Sequence, residues 1–394
     1  MNAYRLSIAI VLIVGAALTA CSDSDDPSAP ATRVQTTPVN VALPAAVAQP
    51  GAGWAFTGAV LADGSLRTWG NNLYWQLGNG GAGVTCVEGF AICSNGPVAV
   101  SAPPTTWTRV SGGLRHGCGL DGAGAAWCWG SGRAGQLGNG LAASSTVPTP
   151  VSGGLAFAQI AVSIAGDLSC GIAAGNALYC WGSGYYGQGG TGGSSNFASV
   201  PYRVAPAQNF TTVAVGELHA CALDGAGAAY CWGANSHGQV GDGTTTQRNV
   251  PTLALGGRTY TQIVTGLAHS CALDAAGVAY CWGAADQLGR ASTTTAERAT
   301  PTAVSGAQRF TRIAAGGWHT CGLDAAGATW CWGDNSYAQF GDGGSVSSLT
   351  PRQITALPAF AQLIAGGAHT CGVTGAGAMS CWGANTYGQT GRLP

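Results

Sequence analysis

Phe310-Thr-Arg-Ile-Ala-Ala-Gly-Gly-Trp-His319-Thr-Cys321-Gly-Leu-Asp324-Ala-Ala-Gly327-Ala-Thr-Trp-Cys331-Trp332-Gly333 is one copy of a unit that recurs along nearly the whole chain. Its closing pair appears as Trp69-Gly70, Trp129-Gly130, Trp181-Gly182, Trp232-Gly233, Trp282-Gly283, Trp332-Gly333 and Trp382-Gly383, at steps of 60, 52, 51, 50, 50 and 50 residues. A period near fifty marks an array of one supersecondary unit. Within the unit the apolar runs are short and bounded by Gly, Pro and Asp, which reads as strands. Helical periodicity is absent from the array. Four short strands per unit, in seven units, predict an all-β, seven-bladed propeller.

The central hairpin is the best-specified piece. Folding about Asp324-Ala-Ala-Gly327 sets Cys321 opposite Cys331. The same spacing pairs Cys118 with Cys128, Cys170 with Cys180, Cys221 with Cys231, Cys271 with Cys281 and Cys371 with Cys381, so local disulfides are expected in preference to long-range ones. The alternative, a set of metal sites, fails on ligand number, because one cross-strand pair supplies only two ligands. Strand alternation puts Trp330 and Trp332 on the face opposite to the cysteines, across from Gly322 and Thr320. The glycine after each tryptophan is expected to bend the strand.

The array ends soon after Gln389 and Gly391, with no outer strand to follow. The start of the chain offers one, since Pro38-Val-Asn-Val41 matches Pro301-Thr-Ala-Val304. An N-terminal strand is therefore expected to complete the blade carrying Trp382 and close the ring.

The first residues stand apart. Arg5 precedes an almost wholly apolar run from Leu6 to Ala17, too short to span a bilayer with ease, and Leu18-Thr19-Ala20-Cys21 follows. This reads as a signal peptide over 1–20 ending in a bacterial lipobox, with Cys21 lipid-modified. Residues 21–36 are polar and read as a flexible tether, leaving 37–394 as the propeller. Setting Cys21 aside leaves 14 of the 15 cysteines, an even number suited to an oxidising compartment. The expected address is the cell envelope, with a lipid anchor as the only link to a membrane. All 15 basic residues are arginine, against 16 acids, and the net charge of −1 argues against nucleic acid as a partner. Lysine-based chemistry has no residue to run on.

The unit resembles the RCC1 repeat, named after the eukaryotic regulator of chromosome condensation. The carriers are the Gly-x-Asn-x-x-Gly-Gln-x-Gly segment, as in Gly383-Ala-Asn385-Thr-Tyr-Gly388-Gln389-Thr-Gly391, then the proline, then Ala-Gly-Gly-x-His-x-Cys-x-Leu, then Trp-Gly. Gln76, Gln136, Gln188, Gln239, Gln287, Gln339 and Gln389 hold the glutamine column. The resemblance spans residues from about 38 to 394 and implies a seven-bladed propeller. It also implies a binding role: the founding member is an exchange factor for a nuclear GTPase, and other members bind proteins. This sequence departs from the founder in its paired cysteines and lipobox.

Candidate sites are of three kinds. His116, His219, His269, His319 and His369 share one column, which Phe56 and Leu168 interrupt; they are either an axial metal or anion site or structural groups satisfying the backbone beside a strand bend. Tyr74, Tyr186, His237, Tyr337 and Tyr387, with Trp75 and Tyr185 adjacent, are either an aromatic collar for a partner or packing beneath the loops. The first unit carries an insertion from Asn79 to Asn95 with Cys86, Phe90, Ile92 and Cys93, expected to be a small disulfide-closed loop and a recognition site. A second irregular loop runs from Gly189 to Phe197. Asp63, Asp121, Asp224, Asp274 and Asp324 fit hairpin turns. No catalytic motif is present, and with three glutamates the chain offers little for acid–base work. The reading is a monomeric, non-enzymatic, lipid-anchored scaffold binding a protein or surface polymer, without metal or cofactor. The alternatives are an exchange factor, as in the family founder, and an envelope polysaccharide enzyme or structural envelope protein.

Overall fold

The computed structural model describes residues 33–391 apart from 82–83, 88–90, 194–196, 292–293 and 295–297, and apart from the side chains of 84–87 and 91. Seven antiparallel sheets follow one another along the chain. Blade one spans 47–99, blade two 107–150, blade three 157–203, blade four 210–253, blade five 262–303 and blade six 312–353; blade seven joins 362–384 to 34–40. The first strand of each blade touches the first strands of both neighbours, and the circuit closes from blade seven back to blade one. These seven strands therefore line the axis, and the fourth strands form the perimeter.

Closure follows the sequence expectation. Val34–Asn40 lies outermost in blade seven and pairs with Met379–Ala384, Val39 opposite Cys381. The strand begins earlier than expected. Val34 already faces Ala384 and Gln35 faces Gly383, so 34–36, placed in a tether by the sequence reading, pair within the ring. The β-branched residues Val34, Thr36 and Thr37 favour this extended pairing. The expected signal segment, Cys21 and residues 22–32 of the expected tether lie outside the described residues.

The core is a set of layers between blades. The cluster joining blades three and four holds Leu168, Ile172, Leu178 and Val204 from one sheet and Phe210, Val213 and Trp232 from the next. Every Trp of the Trp-Gly series is fully buried in such a layer. Its indole N–H needs an acceptor there. Each donates across the blade junction to the backbone oxygen of the preceding unit's glutamine: Trp129 to Gln76 at 2.8 Å, Trp232 to Gln188 at 2.8 Å, Trp382 to Gln339 at 2.9 Å and Trp69 to Gln389 at 3.0 Å. The last bond crosses the closure.

The glycine two positions after each glutamine is required by this contact. Gly341 sits at φ +77°, and a Cβ there would lie 2.7 Å from the Trp382 ring. The inner edges are also protected. Gln159 reaches blade four, accepting from Val213 N–H at 3.0 Å and donating to Val213 O at 2.9 Å. Gln262 does the same for Ile313, at 3.0 and 2.7 Å. An unpaired strand edge at the axis is satisfied in this way by a side-chain amide.

The hairpins carry the expected bonds. Cys118 is joined to Cys128 in blade two, Cys170 to Cys180 in blade three and Cys221 to Cys231 in blade four. Cys271 is joined to Cys281 in blade five, Cys321 to Cys331 in blade six and Cys371 to Cys381 in blade seven. Each pair stands directly opposite in its ladder, with Cα atoms 4.0–4.1 Å apart. Blade one places Gly58 opposite Thr68 instead. The turn aspartates act as expected: Asp324 Oδ1 accepts from Ala326 and Ala328 N–H, and its Oδ2 accepts from Trp330 Nε1.

Candidate functional site

His319 pairs with Gly333, so the loop before each histidine and the loop after each Trp-Gly emerge on one face of the ring. That face holds the histidine column, the glutamine loops and the insertion.

The histidines form inter-blade clasps. His116 Nε2 lies 2.8 Å from Ser169 Oγ, and His219, His269, His319 and His369 meet Ser270, Thr320, Thr370 and Thr57 at 2.8–2.9 Å. Four of those hydroxyls donate onward to glutamine backbone oxygens: Ser169 to Gln136 at 3.0 Å, Ser270 to Gln239 at 2.9 Å, Thr370 to Gln339 at 2.7 Å and Thr57 to Gln389 at 2.8 Å. With its proton used, the hydroxyl must accept from the imidazole. The rings of His116, His219, His319 and His369 are thus neutral Nε2–H donors, and none of the five Nδ1 atoms has a hydrogen-bond partner among the described residues. Full burial drives the pKa of His116, His269 and His369 down to about 3 and that of His219 and His319 to about 4. The partner is a neighbouring blade's hydroxyl, not the backbone expected from sequence.

The interruptions then make sense. The position facing Phe56 across its junction is Gly117, and the position facing Leu168 is Ala220. Where the imidazole is lost, so is the hydroxyl. The signal was present in the sequence: the residue after each histidine position changes in step with the histidine of the preceding unit.

Blade one gathers three of the expected recognition residues, Tyr74, Trp75 and Ile92. The backbone N–H of Asn72 bonds to Ile92 O at 2.9 Å, which sets the insertion beside the turn Leu73-Tyr74-Trp75. Leu73, Tyr74, Trp75 and Ile92 are 40–45% exposed, a concentrated apolar surface. Trp75 stands where four of the six other units have Gly135, Gly187, Gly238 and Gly388, all at φ between +75° and +82°, and where unit five has Asp286 in a short 3-10 turn. It adopts the same left-handed backbone, at φ +62°, which is strained for a bulky side chain. In this column Ala338, at +54°, is the other left-handed residue that is not glycine.

From this turn a polar chain crosses the blades. The Arg115 guanidinium lies 5.3 Å from the Tyr74 ring and 3.5 Å from Asp167, to which Gln136 Nε2 donates at 2.9 Å. Burial raises the Asp167 carboxyl, partly offset by Arg115. Tyr387 is raised by burial and by Tyr74 nearby. Sequence reasoning missed Arg115 and Asp167, which occupy a variable position with no periodic signal.

The remaining candidates lie elsewhere. Tyr185 and Tyr186 are exposed on blade three, His237 is exposed on blade four beside Ser236, and Tyr337 is half-buried on blade six. Cys93 is buried and disulfide-bonded. Phe90 and the side chain of Cys86 lie outside the described residues, as do residues 194–196 of the second irregular loop. Nearer the axis, Trp54 meets Trp318 edge-on at 5.1 Å.

The molecule is thus a disulfide-stapled propeller with one face built of loops and one irregular blade. Models of the regulator of chromosome condensation (RCC1) repeat match residues 123–171, 176–223, 226–273, 276–323 and 326–373, more than half of the chain. The chain belongs to the RCC1 repeat family. Among curated relatives, the ultraviolet-B receptor UVR8 of Arabidopsis thaliana is 32% identical over 39% of this chain and 35% of its own length. The secretion-regulating guanine nucleotide exchange factor of Bos taurus is 28% identical over 55% of this chain and 48% of its own. The chain thus spans less than half the length of these relatives. Among solved structures, human WBSCR16 superposes with a TM-score of 0.76 at 22% identity, covering 92% of this chain and 94% of that one. Prp20p of Saccharomyces cerevisiae, described together with its binding to Gsp1p and histones, gives 0.67 at 19% identity over 84% and 81%. These likenesses show the fold.

Proposed function

We propose that the chain is a non-enzymatic binding propeller that meets a protein partner through blade one. The observation that carries the reading is the exposed Leu73-Tyr74-Trp75 turn, with Trp75 held at φ +62° where four sister units use glycine. Strain at an exposed aromatic residue has no benefit to folding, and such strain concentrates at functional positions. Exposed Tyr and Trp beside an arginine also suit a protein interface.

In the same proposal, residues 1–20 are a signal peptide, Cys21 carries the lipid, and the propeller works at the bacterial cell envelope. The six hairpin disulfides fit an oxidising compartment and support that address. An exported propeller has no route to a cytosolic GTPase, which sets nucleotide exchange behind surface binding.

Crosslinking on intact cells followed by mass spectrometry tests the reading. A partner should be captured by the native chain and lost, with the fold intact, from a Tyr74→Ser, Trp75→Gly variant. Equal capture by both would contradict it.

A further inference from the structure

The axial strands end at the loop face, and the residue two places before each histidine position stands where they meet around the axis. That column holds Trp54, Leu114, Glu217 and Leu267, with glycine in the other three units. Its backbone groups bond from blade to blade: Trp54 N–H to Gly113 O at 3.1 Å, Leu267 N–H to Gly317 O at 3.1 Å, Gly317 N–H to Gly367 O at 2.9 Å and Gly367 N–H to Trp54 O at 3.0 Å. Ser163 Oγ donates to Glu217 O at 3.3 Å across the junction of blades three and four. The column is therefore the rim of the mouth at the axis. Its two sides differ. The Trp54 ring reaches over blades seven and six, since a Cβ at Gly367 would lie 2.6 Å from it and one at Gly317 3.2 Å, and it meets Trp318 edge-on. Blade four stands three steps around the circuit from blade seven and from blade one, so Glu217 occupies the side across the axis. Its carboxylate takes part in no hydrogen bond or ion pair among the described residues. Burial pushes its carboxyl up, with no neighbouring cation to oppose the shift. Arg115 and Asp167, the charges next to the rim, pair with each other at 3.5 Å.

We propose that this axial mouth binds an organic cation between the Glu217 carboxylate and the Trp54–Trp318 pair, presented by the partner protein as a lysine or arginine side chain. This rests on the reading of the loop face as the recognition surface and specifies the chemistry of the contact. A half-buried carboxylate without a counter-charge gains when a cation reaches it, because the cost of its burial is then offset. Tryptophan is the aromatic residue that attracts a cation most strongly. Half-buried Leu114 and Leu267 stand between the two sides and suit the apolar stem of a long cationic side chain. A metal ion fits less well, since one carboxylate falls far short of the six to eight oxygens that calcium takes. Anions are disfavoured by the same uncompensated charge.

The test is titration of the full chain in detergent with N-acetyl-arginine amide, N-acetyl-lysine amide and the neutral N-acetyl-citrulline amide, followed by ligand-observed NMR. The two cations should bind, and citrulline should bind at least about tenfold more weakly. Glu217→Gln, which keeps the size of the side chain, should weaken the cations by about tenfold, and Trp54→Leu by about fivefold. The comparison with citrulline reads the same contact without altering the protein, so a misfolded Trp54 variant does not blunt the test. Glu217→Gln should also weaken capture of the partner on intact cells. No binding of either cation, equal binding of citrulline, or an unchanged affinity in Glu217→Gln would overturn the proposal. Cation binding that depends on Glu217 while partner capture does not would assign the site to a free small cation and overturn the partner's side chain as its occupant. Capture that is lost with Tyr74→Ser, Trp75→Gly while no cation binds would sink the axial site and leave blade-one recognition standing. Glu217-dependent cation binding and capture, with capture unchanged by the blade-one variant, would do the reverse.

Discussion

Acid should unfold this propeller through its histidines. Five buried imidazoles meet a hydroxyl on the next blade through Nε2 and have pKa values of about 3 to 4. In the unfolded chain each returns to about 6.5. A folded pKa below the unfolded one gives stability that is complete above pH 6.5 and lost as pH falls toward the folded value. At pH 5.5 the unfolded state gains about 1.4 kcal/mol per histidine, or about 7 kcal/mol for all five, which rivals the whole stability of an ordinary domain. Asp167 and Glu217, raised by burial, act in the opposite direction, but they are two groups against five. Denaturant unfolding with the disulfides intact, from pH 8 to 5.5, should show a steepening fall, approaching about five protons taken up on unfolding. A His319→Leu, Thr370→Ala variant copies the native pairing of Leu168 with Ala220 and should remove about one proton from that uptake. A change under about 2 kcal/mol between pH 7.5 and 5.5, or an unchanged uptake in the variant, would refute the reasoning.

Three further outcomes follow from the same contacts. Trp75→Gly should raise stability by about 1 kcal/mol in urea melts, because it relieves a left-handed backbone that a bulky residue adopts only under strain. Replacing Cys321 and Cys331 with alanine should cost about 2–3 kcal/mol by loss of a small closed loop, and non-reducing peptide mapping of the native chain should show Cys118 bonded only to Cys128. Removing residues 22–41 should leave blade seven without its outer strand, and an open ring should elute as aggregate in size-exclusion chromatography.

The parts of the fold legible in the sequence were those that repeat. The Trp-Gly pairs, the Cys spacing and the proline in or directly before each outer strand recur in register, so hairpin, blade and closing strand could all be placed. The site was less legible because it lies in departures from the repeat. Trp75 stands out only when its column is read as a glycine column with a positive φ. The His–hydroxyl clasps were written as paired changes about fifty residues apart, such as Leu168 with Ala220, which a reading of one unit at a time passes over. Arg115 and Asp167 meet because consecutive blades bring their loops together, and nothing in either unit alone announces it.

The claim that blade one is the recognition surface is tested most directly by placing a photoreactive amino acid at position 75, and separately at Ala276 in a hairpin turn on the opposite face, then irradiating intact cells. The account predicts one specific crosslinked partner from position 75 and none from position 276. Equal capture at both, or capture from position 276 alone, would contradict it.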